Sequence, residues 1–473
     1  MSRGAAAYAS VLVALVAGAC TGGSEPAADS DATTRAPRSS TDATADGRGA
    51  PLALVVHPSR DVTDVRTADA RNLVADGPTR WSRIGLRGGR MSVVAAPSVT
   101  DAAEVRAVAS AQDAIGVVRA DPGSLALVPA SAVDTSVRAL PVGGVDPLRA
   151  PAAYPLRTDV GDAPESVTTV TVVGDIMLGR RVGERMAAVD DPAAVFRPLA
   201  IRLSAADVTV GNLESSLSKA GAPTQGGDSF AADPSVERGL RLAGFDVLDL
   251  ANNHLGDYGQ RALRRTLTRV DGMGIESVGA GVDRAAARTP AIVEVDGVRI
   301  GFYATDSIGE TPAASARTPG TNRLDMPPRT GPLDRAALRD ITSDIRRLDR
   351  RVDAVIAMPH WGTQYTHVPE PSQRRVAAAL VRAGADVVAG GHPHWVQPLE
   401  RTGDSAVAYS LGNFVFDMDF SRETQEGVFL EIVLWDGDVV GVNPVPYVIG
   451  PDFAPRRVSG ERAQGILDEL ASG

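Results

Sequence analysis

Five short motifs hold most of the residues in this sequence that can do chemistry. They are Gly174-Asp175, Asn212-Leu213-Glu214, Asn252-Asn253-His254, His360-Trp361-Gly362 and Gly391-His392-Pro393-His394. They bring together carboxylates, amides and four of the chain's six histidines. Carboxylate oxygen, amide oxygen and imidazole nitrogen are the donors that a hard or borderline divalent cation takes. Each motif alone says little: Gly-Asp is commonplace and Asn-His often marks a turn. The joint pattern says more, because each motif follows an apolar run. An α/β protein gathers a site in this way at one edge of its sheet.

The elements that must position these residues can be read from the same rows. Apolar, often β-branched runs recur at Val170–Val173, Val208–Val210, Val247–Leu250, Ile292–Val295, Val298–Tyr303, Ala354–Met358, Val387–Ala389 and Val407–Tyr409. Arg261–Val270, Asp334–Leu348 and Gln373–Ala383 between them have helical spacing. Strands alternating with helices predict a layered α/β domain with buried sheets. Val428–Val440 alternates and reads as a hairpin closing at Asp436-Gly437. Gly174 is expected to let the chain turn so that Asp175 faces a metal. His392 and His394 flank Pro393 and are expected in an extended loop, where residues i and i+2 point the same way.

Residues 1–19 read as a signal segment, with a basic start at Arg3 and an apolar centre at Val11–Val16. That stretch is too short to span a membrane. The only cysteine, Cys20, ends Ala17-Gly18-Ala19-Cys20, which resembles a bacterial lipobox and predicts lipidation of Cys20. Plain secretory cleavage is the alternative. Residues 20–50 form a Ser/Thr/Ala/Asp/Gly/Pro-rich tether. At ~5–6 Å per square-root residue its average reach is roughly 30 Å.

Residues 51–148 read as a small α/β domain, with a strand at Leu52–His57, helices at Ala68–Val74 and Ala102–Ala111, a turn anchored by Trp81, and a strand at Ala114–Val118. This stretch resembles one lobe of a phosphate-type solute-binding protein, which implies a solute sensor; a packing or partner-binding domain is the other reading. Residues 149–166 read as a linker, 167–448 as the main domain and 449–473 as a C-terminal tail. The chain has 473 residues, one cysteine and a net charge of −10. No intrachain disulfide is possible, and an acidic chain without basic blocks argues against nucleic acid as a partner.

The segments Val170–Gly179, Asn212–Ser215, Leu250–Gly259, His360–Gly362, Gly391–Gln397 and Tyr409–Asp417 together resemble the bacterial capsule synthesis proteins of the CapA or PgsA type, linked to poly-γ-glutamate capsules. The resemblance covers 167–448. It places the chain in a branch of the calcineurin-like metallophosphoesterases, whose fold is two packed β-sheets flanked by helices. It implies Asp175, Glu214, Asn253, His360, His392 and His394 as ligands of one or two divalent ions, with Glu214 in the bridging place. His254 takes the place of the catalytic acid or base. Asn252, Asp257, Gln364 and Asn413 are then outer partners or substrate contacts. Asp417 is a further outer partner, Tyr258, Trp361 and Trp395 wall the cleft, and His367 is not a ligand.

Two positions depart from the pattern. Met177 and Val173 stand where the superfamily carries a His beside its first Asp, which leaves one ion as open as two. Gln364 stands where the capsule family commonly has Glu, and an amide cannot act as a general base. The resemblance thus implies a membrane-tethered, extracytoplasmic protein. It would serve synthesis or export of an envelope polymer, with that polymer or its machinery as partner and a metal-dependent phosphoester hydrolase site. The alternative is a scaffold or polymer-binding subunit without turnover.

Overall fold

The apolar runs form two sheets. In the first, Val167–Ile176, Val208–Leu213, Val247–Asp249 and Glu276–Val278 lie parallel. Glu426–Trp435, Asp438–Ile449 and Pro455–Arg457 continue it antiparallel. The second runs Ala291–Val295, Val298–Asp306, Ala354–His360, Val387–Ala389, Ser405–Leu411, Val396–Thr402. Its four inner strands are parallel and each edge strand is antiparallel. This computed structural model describes residues 49–472 except 63, 78–79, 85–87 and 101. The expected signal segment, 1–19, the expected lipidation at Cys20 and residues 21–48 of the expected tether lie outside the described residues.

The period of two along each strand decides which layer a side chain joins. Val170, Val172, Val208 and Val210 of the first sheet pack with Ile300, Phe302, Ile356, Met358 and Val387 of the second. On the outer face of the second sheet, Tyr303, Val355, Ala357 and Val388 meet Ile341, Ile345 and Leu348 of helix Arg335–Asp349 and Val376 and Leu380 of helix Pro371–Val381. Leu213, Leu248 and Ile176 on the outer face of the first sheet meet Val182 and Met186 of helix Arg180–Ala188 and Leu263 and Val270 of helix Gly259–Gly272. Two packed sheets flanked by helices is the fold expected from the sequence. Burying one such Leu, Ile or Phe stabilises by about 1.5–3 kcal/mol, so the sandwich can carry polar groups at its edge.

Residues 50–158 add a smaller sheet ordered Arg106–Ala107, Ser92–Ala95, Ser124–Pro129, Ala50–Val56, Arg138–Ala139, with Arg157–Thr158 on Ala50–Pro51. Two expectations fail here. Ala114–Val118 is not a strand but part of helix Ala111–Ala120, while Ala102–Ala111 holds a short strand rather than a helix. Ser110 caps that helix by accepting from the Asp113 N–H, and Ala114, Ile115 and Val118 are its buried face, which is helical spacing. The neighbouring strand is Ser124–Pro129, buried throughout. The segment 449–473, read as a tail, carries helix Glu461–Leu470, whose Ile466, Leu467 and Leu470 enter the sandwich core.

Gly174 also differs from expectation. It lies inside strand Val167–Ile176, at a register shift, and not at a turn. A Cβ there would sit 2.0 Å from the Gly412 carbonyl oxygen, so the close approach of two backbones is what requires glycine. That approach lets Asp175 N–H donate to Gly412 O and sets the carboxylate at the sheet edge.

Candidate metal centre

Asp175 and Glu214 end adjacent parallel strands, and both are fully buried. The Asn212 amide donates to Asp175 Oδ1 at 2.7 Å, and the His392 backbone N–H donates to Asp175 Oδ2 at 3.0 Å. Glu214 is different. Neither of its carboxylate oxygens has a hydrogen-bond partner among the described residues. Its Oε1 lies 3.6 Å from His360 Nε2 and 3.7 Å from His254 Nε2. A buried carboxylate without donors carries a large desolvation cost unless a cation answers it.

The histidines come from three strand ends. His360 closes strand Ala354–His360. Its Nδ1 accepts from the Asn212 amide at 3.2 Å and its Nε2 meets Asn253 Oδ1 at 2.9 Å. The Asn253 amide nitrogen donates to Glu310 Oε2 at 2.8 Å, which turns Asn253 Oδ1 toward the cluster. His392 has both ring nitrogens buried and, among the described residues, unpartnered. His394 Nδ1 bonds Asn413 Oδ1 at 2.8 Å, while Gln364 Nε2 lies 3.3 Å from His394 Nε2. His392 and His394 do not lie in an extended loop, as the sequence suggested. Their φ values are 93° and 59°, left-handed conformations that cost of order 1–3 kcal/mol each outside glycine. These two turns around Pro393 aim both rings inward, with centroids 5.7 Å apart.

Two triads emerge: Glu214, His360 and His392, and Asp175, Glu214 and His394, with the ligand atoms of each within 4.8 Å of one another. Glu214 belongs to both. The unpartnered Glu214 oxygens and His392 nitrogens make this donor set one that fits a divalent cation. Burial pushes the Asp175 carboxyl up to about 7, helped by the Glu214 charge. Burial likewise pushes Glu214 up to about 7, against the pull of His254. Burial holds His394 down at about 3, lowers His360, and puts His392 well below the usual imidazole range. The imidazoles are therefore neutral at pH 7, the form that ligates a metal.

Around this core, His254 Nδ1 donates to Asp257 Oδ2 at 2.8 Å, and its ring stacks on Phe230 at 3.8 Å. Asp257 also accepts from the Phe230 backbone N–H and from Gln225. Asn252 braces the loop by donating to Asn212 Oδ1 and accepting from the His254 and Leu255 N–H groups. Asp417 does not touch a cluster histidine: it is a buried carboxylate engaged by Arg180 and Arg181. Trp361 does not wall a cleft. It is fully buried and donates to the Tyr409 carbonyl. Trp395 is half-buried beside Tyr365 and His367. Tyr258 immediately precedes helix Gly259–Gly272, and His367 bonds the Val396 carbonyl, away from the cluster. Met177 gives its sulfur to the Gly179 N–H at 3.1 Å.

The sequence reading missed Asn212 and Glu310 as site residues. Asn212 carried a usable signal, because it stands two residues before Glu214 on one strand and so shares its face. Glu310 carried none: it reaches Asn253 from a separate loop.

The chain is 32% identical over 318 residues to the capsule biosynthesis protein CapA of Bacillus anthracis, covering 63% of this chain and 74% of that one. It is 32% identical over 264 residues to the PGA biosynthesis protein CapA of Bacillus subtilis strain 168, covering 54% and 66%. Among solved structures, a hypothetical protein from Thermus thermophilus aligns with 59% of this chain and 99% of that one, at 17% identity and a TM-score of 0.39. Residues 169–418, more than half of the chain, match the family described as bacterial capsule synthesis protein PGA_cap. On that match, the chain belongs to the bacterial capsule synthesis protein family.

Proposed function

We propose that this chain is an envelope protein of capsule, poly-γ-glutamate or related polymer synthesis or export, whose sandwich edge hydrolyses a phosphoester with the help of bound metal. The family membership supports the polymer role. One observation carries the chemistry: a buried, unpartnered Glu214 shared by two carboxylate–imidazole triads. Asp175, Glu214, Asn253, His360, His392 and His394 would hold one or two divalent ions. When bound, such ions lower the pKa of water and stabilise charge on a phosphoryl oxygen. His254 is the proton-handling residue. Asp257 accepts the hydrogen bond from its Nδ1–H, which leaves Nε2 facing the cluster and stabilises the ring when it is charged. Elemental analysis of the purified protein, with a panel of phosphoesters assayed alongside, tests the reading. Bound divalent metal with turnover supports it, and protein without metal would overturn it.

Gln364 favours a second reading, a scaffold or polymer-binding subunit that keeps the metal without turnover. Its amide sits against His394, where a carboxylate would ligate or take a proton. If the centre is catalytic, Gln364→Glu is expected to raise turnover about tenfold, worth ~1.4 kcal/mol of transition-state stabilisation. Absence of hydrolysis in both the parent and this variant would favour the scaffold.

We further propose that the protein is held on the extracytoplasmic face of the cell membrane through lipid on Cys20. No described helix is long and apolar enough to cross a membrane. Stable attachment takes more than one acyl chain, which is what a bacterial lipoprotein carries. Cys20→Ser is expected to move the protein from the membrane fraction to the soluble fraction, and unchanged association after that change would refute the anchor.

A further inference from the structure

Arg180 is a charged residue that the metal centre does not use. It follows Gly179 at the end of the Asp175 segment and opens helix Arg180–Ala188. Its φ of 44° is left-handed, a conformation non-glycine residues adopt only when the surroundings hold them there. One edge of its guanidinium, Nε and Nη2, is engaged by the buried carboxylate of Asp417. Its Cζ lies 4.4 Å from the centroid of the Phe230 ring, the same ring that stacks on His254 at 3.8 Å. The other edge, Nη1, meets Asp228 at 3.5 Å, and the Asp228 side chain is 80% exposed. An exposed ion pair of that kind is weak and readily exchanged. The Arg180 side chain itself is 27% exposed.

We propose that Arg180 binds an anionic group of the substrate beside the metal centre, and that Asp417 positions it. The inference rests on the metal-centre reading and adds a substrate class: a molecule carrying an oxyanion next to the group that reacts. A guanidinium fixed on one edge keeps its other edge preorganised for an oxyanion, which arginine engages through a planar fork. Asp228 is then a counter-ion that the substrate displaces. A purely structural arginine at this place would need neither an open edge nor so exposed a partner as Asp228. Phosphate and carboxylate share the required chemistry, and they would come from a phosphoester and from an acidic polymer respectively.

The test uses the purified full chain, with metal content measured on each sample and binding of inorganic phosphate and of glutarate followed by calorimetry. Arg180→Gln is expected to weaken binding of the preferred anion by about 10–100-fold, the loss of one charge-assisted contact, with metal content unchanged. Arg180→Lys should restore part of the affinity. Asp417→Asn should weaken binding less than Arg180→Gln does. Preference for phosphate points to a phosphoester, and preference for glutarate to a carboxylate polymer. Equal anion affinity in the parent and Arg180→Gln would overturn the proposal, as would a parent that binds neither anion. Loss of metal in the parent would instead strike the metal-centre reading, with the anion arm still deciding the role of Arg180. Should Arg180→Gln fail to fold, Arg180→Lys carries the comparison, and parent-like affinity there together with parent-like affinity in Asp417→Asn would equally overturn it.

Discussion

Replacing His392 and His394 together with alanine is expected to strip bound divalent metal from the protein while the fold persists. Each histidine belongs to one of the two triads that share Glu214, so the double change removes a donor from both. Loss of even an outer hydrogen-bonding partner of a ligand costs roughly 10–100-fold in metal affinity. Removing two ligands should therefore cost at least about a hundredfold. The fold should survive because neither ring nitrogen of His392 holds a partner among the described residues and His394 gives up only its bonds to Asn413 and Gln364. The cores on either side of the sheets do not depend on either ring. Metal content and circular dichroism read the two effects separately. A variant with parental metal content would remove these histidines from the ligand set.

The second large effect is the pH dependence of metal binding. Asp175 and Glu214 are each pushed up to about 7 by burial, so below that pH the metal-free site holds protons that a metal must displace. His394, held at about 3, and His392, held well below its usual range, are already neutral and do not compete. Affinity should therefore rise with pH through about 5–7 and level off above about 8. With one to two protons released, the slope is about 10–100-fold per pH unit. Calorimetry in two buffers of different ionisation heat counts those protons. Affinity that stays flat from about pH 5.5 to 7 would mean that neither carboxyl is protonated in the free site, and hence that the cluster is more hydrated than its burial implies.

Much of the architecture was legible in the residues. β-branched apolar runs alternating with helical stretches suffice for a layered α/β domain with buried sheets, because burial on both faces of a strand leaves a mark that needs no long-range knowledge. That there are two packed sheets flanked by helices was implied only by the family resemblance. The hairpin at Asp436-Gly437 was legible for a similarly local reason. The segment around Ala114 misled because a five-residue apolar run fits a strand or a buried helical turn equally well. The Ser110 cap and the packing partners settled it as helix.

For the site, the residue types, their order and their place at strand ends were all written in the chain. Which of them meet was decided by the packing of the sheets. Asp175, Glu214, Asn253, His254, His360, His392 and His394 converge because parallel strands of two sheets end at one edge, and pairing across the sandwich is not encoded in local spacing. The left-handed turns at His392 and His394, the reach of Glu310 to Asn253, and the choice of Arg180 by Asp417 are of the same kind. Each depends on segments far apart in the chain, held by the cores beneath them, and local sequence holds no physical record of such a contact.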